Sequence, residues 1–511
     1  MSKKILIIGG GISGLTAGVY AQKAGFEAHI FEQHSVPGGE CTGWDRKGFH
    51  IDNCAHWMMG SSPGSELNEL WTETGALGDV EILRADSMYT SELNGEEITL
   101  WHDIERTRRE MLALSPEDKE EIEDLIKACK MAQNVKIPAA KPAELFGAAD
   151  IIRMLLTTGK ALKLFKKYEN LDTKELMSRF KHPLLRCVIS DFCTVDSLGY
   201  SFPMAYGNFV GKDGGIPRGG SRAMALRMQK RFLELGGHYH GGCRVEKILL
   251  EASADSTANT VETKGKIPQP ASGLKLSDGQ IITGDYIIPA CDINVTFRKL
   301  LPDIFVPEML KRMDENPEDF PIYNTFHAAF ALHDARNLIG RERIMDCRQI
   351  QGMPFLGDRL TIKVYDYEPD FAPKGKQLVQ AFLGGSSKMF EYWQKLYEDK
   401  EQYQAKKQEL AGQIQKLLEQ RFPECAGKLE LLDTWTPMTY MRYCDAYKGF
   451  YQSFTVTRNS KPYSTPSAYV EGIPNLVLAG QWLNPPGGLP GAAIAGKYAV
   501  MRIAHLEAGK A

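Results

Sequence analysis

Lys4-Ile5-Leu6-Ile7-Ile8-Gly9-Gly10-Gly11-Ile12-Ser13-Gly14-Leu15-Thr16-Ala17-Gly18 reads as a strand, a tight turn and the start of a helix. The apolar run Ile5 to Ile8 has the unbroken hydrophobicity of a parallel strand buried on both faces. Gly9 permits the turn, Gly11 lets the backbone approach a pyrophosphate, and Gly14 lets the helix pack on the strand. That helix, with Ile12 and Ser13 in its first turn, would aim free N–H groups and a positive dipole end at the anion. A second strand, Ala28 to Phe31, ends in Glu32, 18 residues after Gly14, where a carboxylate accepts ribose hydroxyls.

Glu32 disfavours a 2′-phosphate and so argues against NADP. Gln33 and the following Pro37-Gly38-Gly39-Glu40 suggest a second close backbone approach, along a ligand longer than NAD. An ordinary Pro-Gly turn is the alternative for those residues alone.

With 511 residues the chain has room for two domains. Its 43% hydrophobic and 24% charged content is that of a globular protein. Lys+Arg 61 against Asp+Glu 64 argues against nucleic acid as the main partner. Met1-Ser2-Lys3-Lys4 leads straight into the first strand, so no signal peptide is expected. No run approaches the roughly 18 apolar residues of a membrane-spanning helix. The ten scattered cysteines lack a C-x-x-C pair, which suggests reduced thiols and a cytoplasmic setting. Cys41, Cys54 and His56 are irregularly spaced, and no metal site is expected.

Dinucleotide-type signals fall in three segments, 1–85, 214–295 and 431–511. The second contains a helix over Ser221–Leu235, a strand from Arg244 through Val245, a hairpin around Ser277-Asp278-Gly279, and the strand Tyr286–Ala290. The third contains the strand Asn475–Ala479 ending at Gly480. The stretches 86–213 and 296–430 mix long helical patterns with alternating strands, and 387–420 reads as one or two exposed amphipathic helices. The expected fold is α/β: a Rossmann-type domain assembled from three segments, with an inserted α+β substrate domain and the substrate between them.

Gly480-Gln481-Trp482-Leu483-Asn484-Pro485-Pro486-Gly487-Gly488-Leu489-Pro490-Gly491-Ala492-Ala493 is the second strong signal. Pro490 opens a small-residue helix, so Gly491, Ala492 and Ala493 present backbone N–H groups with little obstruction. Such a cradle suits the electron-rich edge of a flavin.

On these residues the chain resembles the FAD-dependent phytoene desaturase family, with its carotenoid isomerases and retinol saturases, within the amine-oxidase-like flavoproteins. The resemblance covers nearly the whole chain. It rests on Gly9 to Gly14 with Glu32, Pro37-Gly38-Gly39, Thr42-Gly43-Trp44, Gly48-Phe49-His50-Ile51-Asp52, Pro217-Arg218-Gly219-Gly220, Thr436-Pro437-Met438-Thr439-Tyr440 and the 485–491 cluster. It implies FAD as cofactor, a contact of Val245 with the adenine side through its backbone, and Ala290, Gly480, Gln481 and Gly488 in the cofactor wall. Two departures stand out. Gln481 replaces a frequent acid, and Asp52-Asn53-Cys54 lacks the usual Asp-x-Gly.

The family acts on carbon–carbon bonds of long apolar molecules, by desaturation, saturation or double-bond isomerisation. An apolar isoprenoid or lipid is thus the expected substrate. Amine-oxidase-like C–N oxidation and a non-catalytic FAD-bearing lipid carrier or chaperone are the alternatives. His56 and Tyr440 are the candidate catalytic residues, beside hydride transfer at flavin N5. Arg218 suits either a phosphate contact or a surface pair, and His238 and His240 read as structural. Residues 151–168 form a basic amphipathic pattern that suits either peripheral membrane contact or a solvated cap. No second G-x-G-x-x-G occurs, which leaves the electron partner open.

Overall fold

The protein is described by a computed structural model that covers residues 2–54, 57–251, 269–334 and 336–509, without the side chains of 153–162. Ile5, Leu6 and Ile7 of β1 (Lys4–Ile8) have no solvent exposure, as a strand covered on both faces requires. β2 (Glu27–Glu32) pairs with one edge of β1, and β3 (His238–Gly241) lies outside β2. β4 (Tyr286–Pro289) takes the other edge, followed by β6 (Ile473–Val477) and β5 (Tyr469–Val470). The order β3-β2-β1-β4-β6-β5 is parallel except for the last pair.

Three helices pack on this sheet: α1 (Ile12–Lys23), α2 (Gly220–Glu234) and α3 (Leu489–Ala508). α1 is held at two points where only glycine fits. A Cβ on Gly14 would lie 1.9 Å from the Gly9 carbonyl oxygen, and one on Gly496 of α3 would lie 2.2 Å from the Ser13 carbonyl oxygen. The first contact sets helix against turn, and the second sets the two helices against each other.

A seven-stranded sheet forms the second layer, in the order Leu429–Trp435, Asn324–Leu332, Gln377–Gly385, Leu356–Val364, Glu342–Asp346, Ser87–Leu93 and Glu96–Trp101. Its side chains alternate. Phe326, Phe330, Ile362, Val379 and Leu383 pack against Met389, Trp393, Leu410, Ile414 and Leu418. Those last five come from the helices Lys388–Tyr397 and Lys400–Arg421, so the amphipathic pattern at 387–420 is real but covers the sheet with its apolar face. Thr325, Glu342, Thr361 and Phe382 face the opposite way, into a cavity between the sheets. The helices Pro183–Ser190 and Ser201–Val210 border that cavity on a third side, and Lys119–Ala132 packs behind Ser201–Val210.

Two stretches sit differently from the sequence division. Phe297, Leu300, Leu310, Met313 and Phe320 are buried in the core of the first sheet, although they belong to 296–430. The strand Leu429–Trp435 crosses the expected boundary at 431 and belongs to the second sheet. Prolines do stand near the observed joins, at Pro317, Pro321 and Pro437, but prolines are scattered throughout the chain and do not single these positions out.

The roof is tied to the second sheet by a buried ion pair. Arg359 Nε and Nη2 donate to Asp191 Oδ1 and Oδ2 at 2.6 and 2.8 Å, and Nη1 donates to the Glu92 carbonyl at 2.7 Å. The two side chains are 14% and 0% exposed. Removing one partner leaves a desolvated charge unmatched, which costs about 3–5 kcal/mol. Arg359→Met is expected to lower the unfolding free energy by about that amount in urea titrations, and adding Asp191→Leu to restore most of it.

Candidate active site

A cavity of about 1870 Å³ runs from the end of β2 to the helical roof. Pockets for one small ligand measure roughly 300–1,000 Å³, so this volume has space for two. One end is walled by Glu32, Gln33, Arg244 and Val245 and the middle by Gly11, Gly39, Glu40, Ala290, Gly480 and Gly488. Tyr89, Met177, Phe192, Met204, Ile344, Phe355 and Phe382 wall the far end.

Most of the expected cofactor residues are brought together in the wall of this cavity. Gly9, Gly11, Ile12, Ser13, Glu32, Gln33, Gly38, Gly39, Glu40, Val245, Ala290, Gly480, Gln481, Gly488 and Ala492 all line the cavity. Gly14, Gly491 and Ala493 stand behind the wall. Gly14 acts through its packing on Gly9, and Ala493 is fully buried. Glu32 accepts from the Gly10 and His34 backbones at 2.6 and 2.9 Å, which fixes its carboxylate at the end of β2. Gly38 bridges Gly11 and donates its N–H to the Gly10 carbonyl at 2.9 Å. The second glycine pair therefore extends the first turn as one wall.

Gln481 has a clear physical role. Its Oε1 accepts from Gly488 N at 2.9 Å, and its Nε2 donates to Glu40 Oε2 at 3.2 Å and to the Tyr451 carbonyl at 3.1 Å. One neutral side chain thus pins the turn before α3 to the Gly39-Glu40 wall. Burial and then Asp292 push the Glu40 carboxyl up to about 8, so it is mainly protonated at neutral pH. Ser13 acts sideways: its hydroxyl accepts from Gly480 N at 2.8 Å and joins the two chain segments.

Other sequence candidates land elsewhere. His56 lies outside the described residues. Tyr440 is buried and does not line the cavity. Its hydroxyl donates to Asn53 Oδ1 at 3.0 Å and accepts from Trp435 Nε1 at 3.1 Å, beside a smaller cleft. Tyr443, three residues on, stacks on His34 with ring centroids 4.0 Å apart, near Glu32. Arg218 pairs with Glu81 at 2.5 Å.

Sequence reasoning missed a polar row on the cavity side of the second sheet. Glu342, Lys363 and Gln380 are register neighbours on three adjacent strands. Lys363 is 1% exposed, and Gln380 Nε2 donates to the Asp52 carbonyl at 2.8 Å. The Glu342 carboxyl opens into the cavity, pushed up to about 6 by burial against the pull of Lys363. Burial holds the Lys363 ammonium below the ordinary lysine range, opposed first by Glu342. A lysine within the apolar alternation Leu360-Thr361-Ile362-Lys363-Val364 was the available signal.

The residues fit a flavin dinucleotide. Gly11 and Gly488 are the N-cap residues of α1 and α3, both line the cavity, and neither helix start has a side-chain cap. Two uncapped helix N-termini on one cavity offer donors for two electron-rich groups. Glu32, at the end of β2, lines the same cavity. The family model of flavin-containing amine oxidoreductases matches residues 12–504.

The chain belongs to that family. It is an FAD-dependent oxidoreductase of the phytoene desaturase-like kind, with the α/β fold expected from its sequence. A 4,4′-diapophytoene desaturase of Methylomonas sp is 22% identical over 96% of this chain and 93% of its own. A chloroplastic prolycopene isomerase of Daucus carota is 24% identical over 98% of this chain and 79% of its own. An oxidoreductase structure from Methanosarcina mazei superposes with a TM-score of 0.59 at 18% identity, covering 98% and 100% of the two chains. Putrescine oxidase bound to putrescine gives 0.61 at 13% identity, covering 99% of each. Those superpositions concern fold alone.

Gln481→Ala removes the bond to Gly488 N, about 1–1.5 kcal/mol, and is expected to weaken FAD binding about tenfold in a fluorescence titration. Glu40→Gln preserves the protonated form. It is expected to match the parent at pH 7 and to retain FAD longer than the parent at pH 9, where Glu40 has lost its proton.

Proposed function

We propose that this chain oxidises, reduces or isomerises a carbon–carbon double bond system in an apolar isoprenoid or lipid, of the carotenoid or retinoid type. The observation that carries this reading is the size of the cavity. Its volume of about 1870 Å³ exceeds what one small ligand needs, and besides the residues of the first sheet its lining includes Met177, Met204, Phe192, Phe382, Tyr89 and Ile344, with the carboxyl of Glu342 among them. The relatives named for acting on diapophytoene and prolycopene support the same substrate class. We also propose that the cofactor-binding residues are those lining the first part of the cavity. On this division 296–322 and 436–511 belong with the cofactor side, and 323–435 with the second sheet.

FAD, when bound, supplies hydride exchange at N5. The rest falls to the chain. The apolar side chains of the cavity would position the substrate and so set which carbon is presented. Removal of a hydride from one carbon must be matched by loss of a proton from its neighbour, and the reverse holds for saturation. Glu342 is the group we assign to that proton: its carboxylate accepts it in desaturation, and its carboxyl returns it in saturation. Tyr440, and His56 beyond the described residues, remain proposals of the second rank.

A second reading, oxidation of a C–N bond, is favoured by one observation: the same Glu342 carboxyl would hold a substrate ammonium. The two readings separate in one experiment. Purified protein is expected to show a flavin spectrum; reduced anaerobically, it is reoxidised by unsaturated isoprenoids and not reduced by amines. Reduction by amines with no response to isoprenoids would establish the second reading. With Glu342 as base, desaturation rises as pH passes up through about 6 and saturation falls. Glu342→Gln is expected to flatten that limb and lower kcat about 10²-fold, with little change in KM. An amine anchor would instead raise KM.

No helix among the described residues is long and apolar enough to cross a membrane. In the helix Ala148–Tyr168, Leu164 and Tyr168 point into the roof and Phe165 packs edge-on against Tyr200 at 4.8 Å. Ile151 and Ile152 are 46% and 59% exposed, and Lys163 and Lys166 are exposed. We propose a cytoplasmic protein that meets an anionic membrane through this helix to collect its substrate. Flotation with anionic vesicles is expected, and loss of flotation on replacing Lys163 and Lys166 by Gln.

A further inference from the structure

The outer edge of the first sheet brings chelating side chains onto one face, away from the cavity. Ala28 and Ile30 of β2 are fully buried, while Glu27, His29 and Phe31 alternate to the other side. β3 runs parallel with His238 opposite His29 and His240 opposite Phe31. Because β3 is the terminal strand, His238 is exposed. We propose that Glu27, His29 and His238 form a binding site for a divalent transition-metal ion of the Zn²⁺, Co²⁺ or Ni²⁺ class.

The geometry is that of two ligands at i and i+2 on one strand and a third directly across. His29 Nε2 lies 2.8 Å from Glu27 Oε1, and one ligand atom from each of the three residues lies within 4.8 Å of the others. Ligand atoms around an ion with bonds of about 2.1 Å stand at most about 4.2 Å apart, so binding requires the set to draw in slightly, with the exposed His238 ring stacked on His29 at 4.4 Å between centroids. One carboxylate and two imidazoles suit borderline metals and leave an outer position for water.

The surroundings supply the partner that a metal-bound imidazole needs. His29 Nδ1 is 3.1 Å from His240 Nε2, so with a metal on Nε2 the ring holds its proton on Nδ1 and donates it to His240. One competitor is present: Lys4 Nζ lies 3.5 Å from Glu27 Oε1. The bound ion would clamp the edge strand β3 to β2, whose far end carries Glu32.

The test is calorimetric titration of tag-free, flavin-loaded protein with Zn²⁺, with Co²⁺ absorption beyond the flavin bands as a second reading. One ion per chain is expected. His238→Ala and Glu27→Gln should each weaken binding at least about tenfold, and His240→Ala about 10- to 100-fold without changing the stoichiometry. Lys4→Gln should tighten it. His238 is exposed, and an unaltered flavin spectrum in His238→Ala shows the fold kept. Failure of the parent protein to bind Zn²⁺, or the same isotherm from the parent and His238→Ala, overturns the proposal.

Discussion

The contact on which this molecule depends is the double clamp on α1. Gly14 lets the helix settle against the Gly9 carbonyl, and Gly496 lets α3 settle against the Ser13 carbonyl. The first fixes the start of α1 against the glycine turn, the second fixes α3 against α1, and both uncapped helix starts open on the same cavity. The relative positions of these two sets of backbone donors are thereby set by packing. A side chain at either glycine would have to displace backbone, which a close-packed core resists. The Ser13 hydroxyl on Gly480 N adds a hydrogen bond at the same junction.

That junction also explains why the chain can be interrupted so often. The six-stranded sheet takes strands from the beginning, the middle and the end of the sequence, and the gaps between them supply the second sheet and the roof. Segments of the six-stranded sheet bring Gly11, Glu32, Ala290 and Gly480 to the cavity, and the intervening segments bring the second sheet and the roof to it. Arg359 and Asp191 then hold roof and second sheet together by an interaction whose strength comes from being buried and matched on both sides.

The first half of this arrangement was legible because its residues are constrained locally. A run of buried Ile and Leu, a glycine turn and an acid at the next strand end state their roles within about thirty residues. The Gly488–Ala493 helix start is legible for the same reason. The substrate half was not. Tyr440 and Tyr443 look alike in sequence, yet one is tied to Asn53 and Trp435 and the other stacks on His34. The pairing of Glu342 with Lys363 depends on strand register across 21 residues, which neither residue type nor spacing reveals. Likewise 296–322 carries an ordinary helical pattern, and only its packing shows which sheet it serves.

A carboxyl and an ammonium are costly in the wall of a cavity meant for hydrocarbon. The sheet reduces that cost by placing Glu342 and Lys363 opposite each other, with Gln380 and the Asp52 carbonyl extending the row. Each charge then offsets the desolvation of the other, and the Glu342 proton is held in the range where it can be given or taken near neutral pH. Hydrophobic residues of similar volume would serve a pure binding cavity at least as well. The row is therefore better explained by proton transfer than by packing, which is why a purely carrier role fits this cavity less well than catalysis.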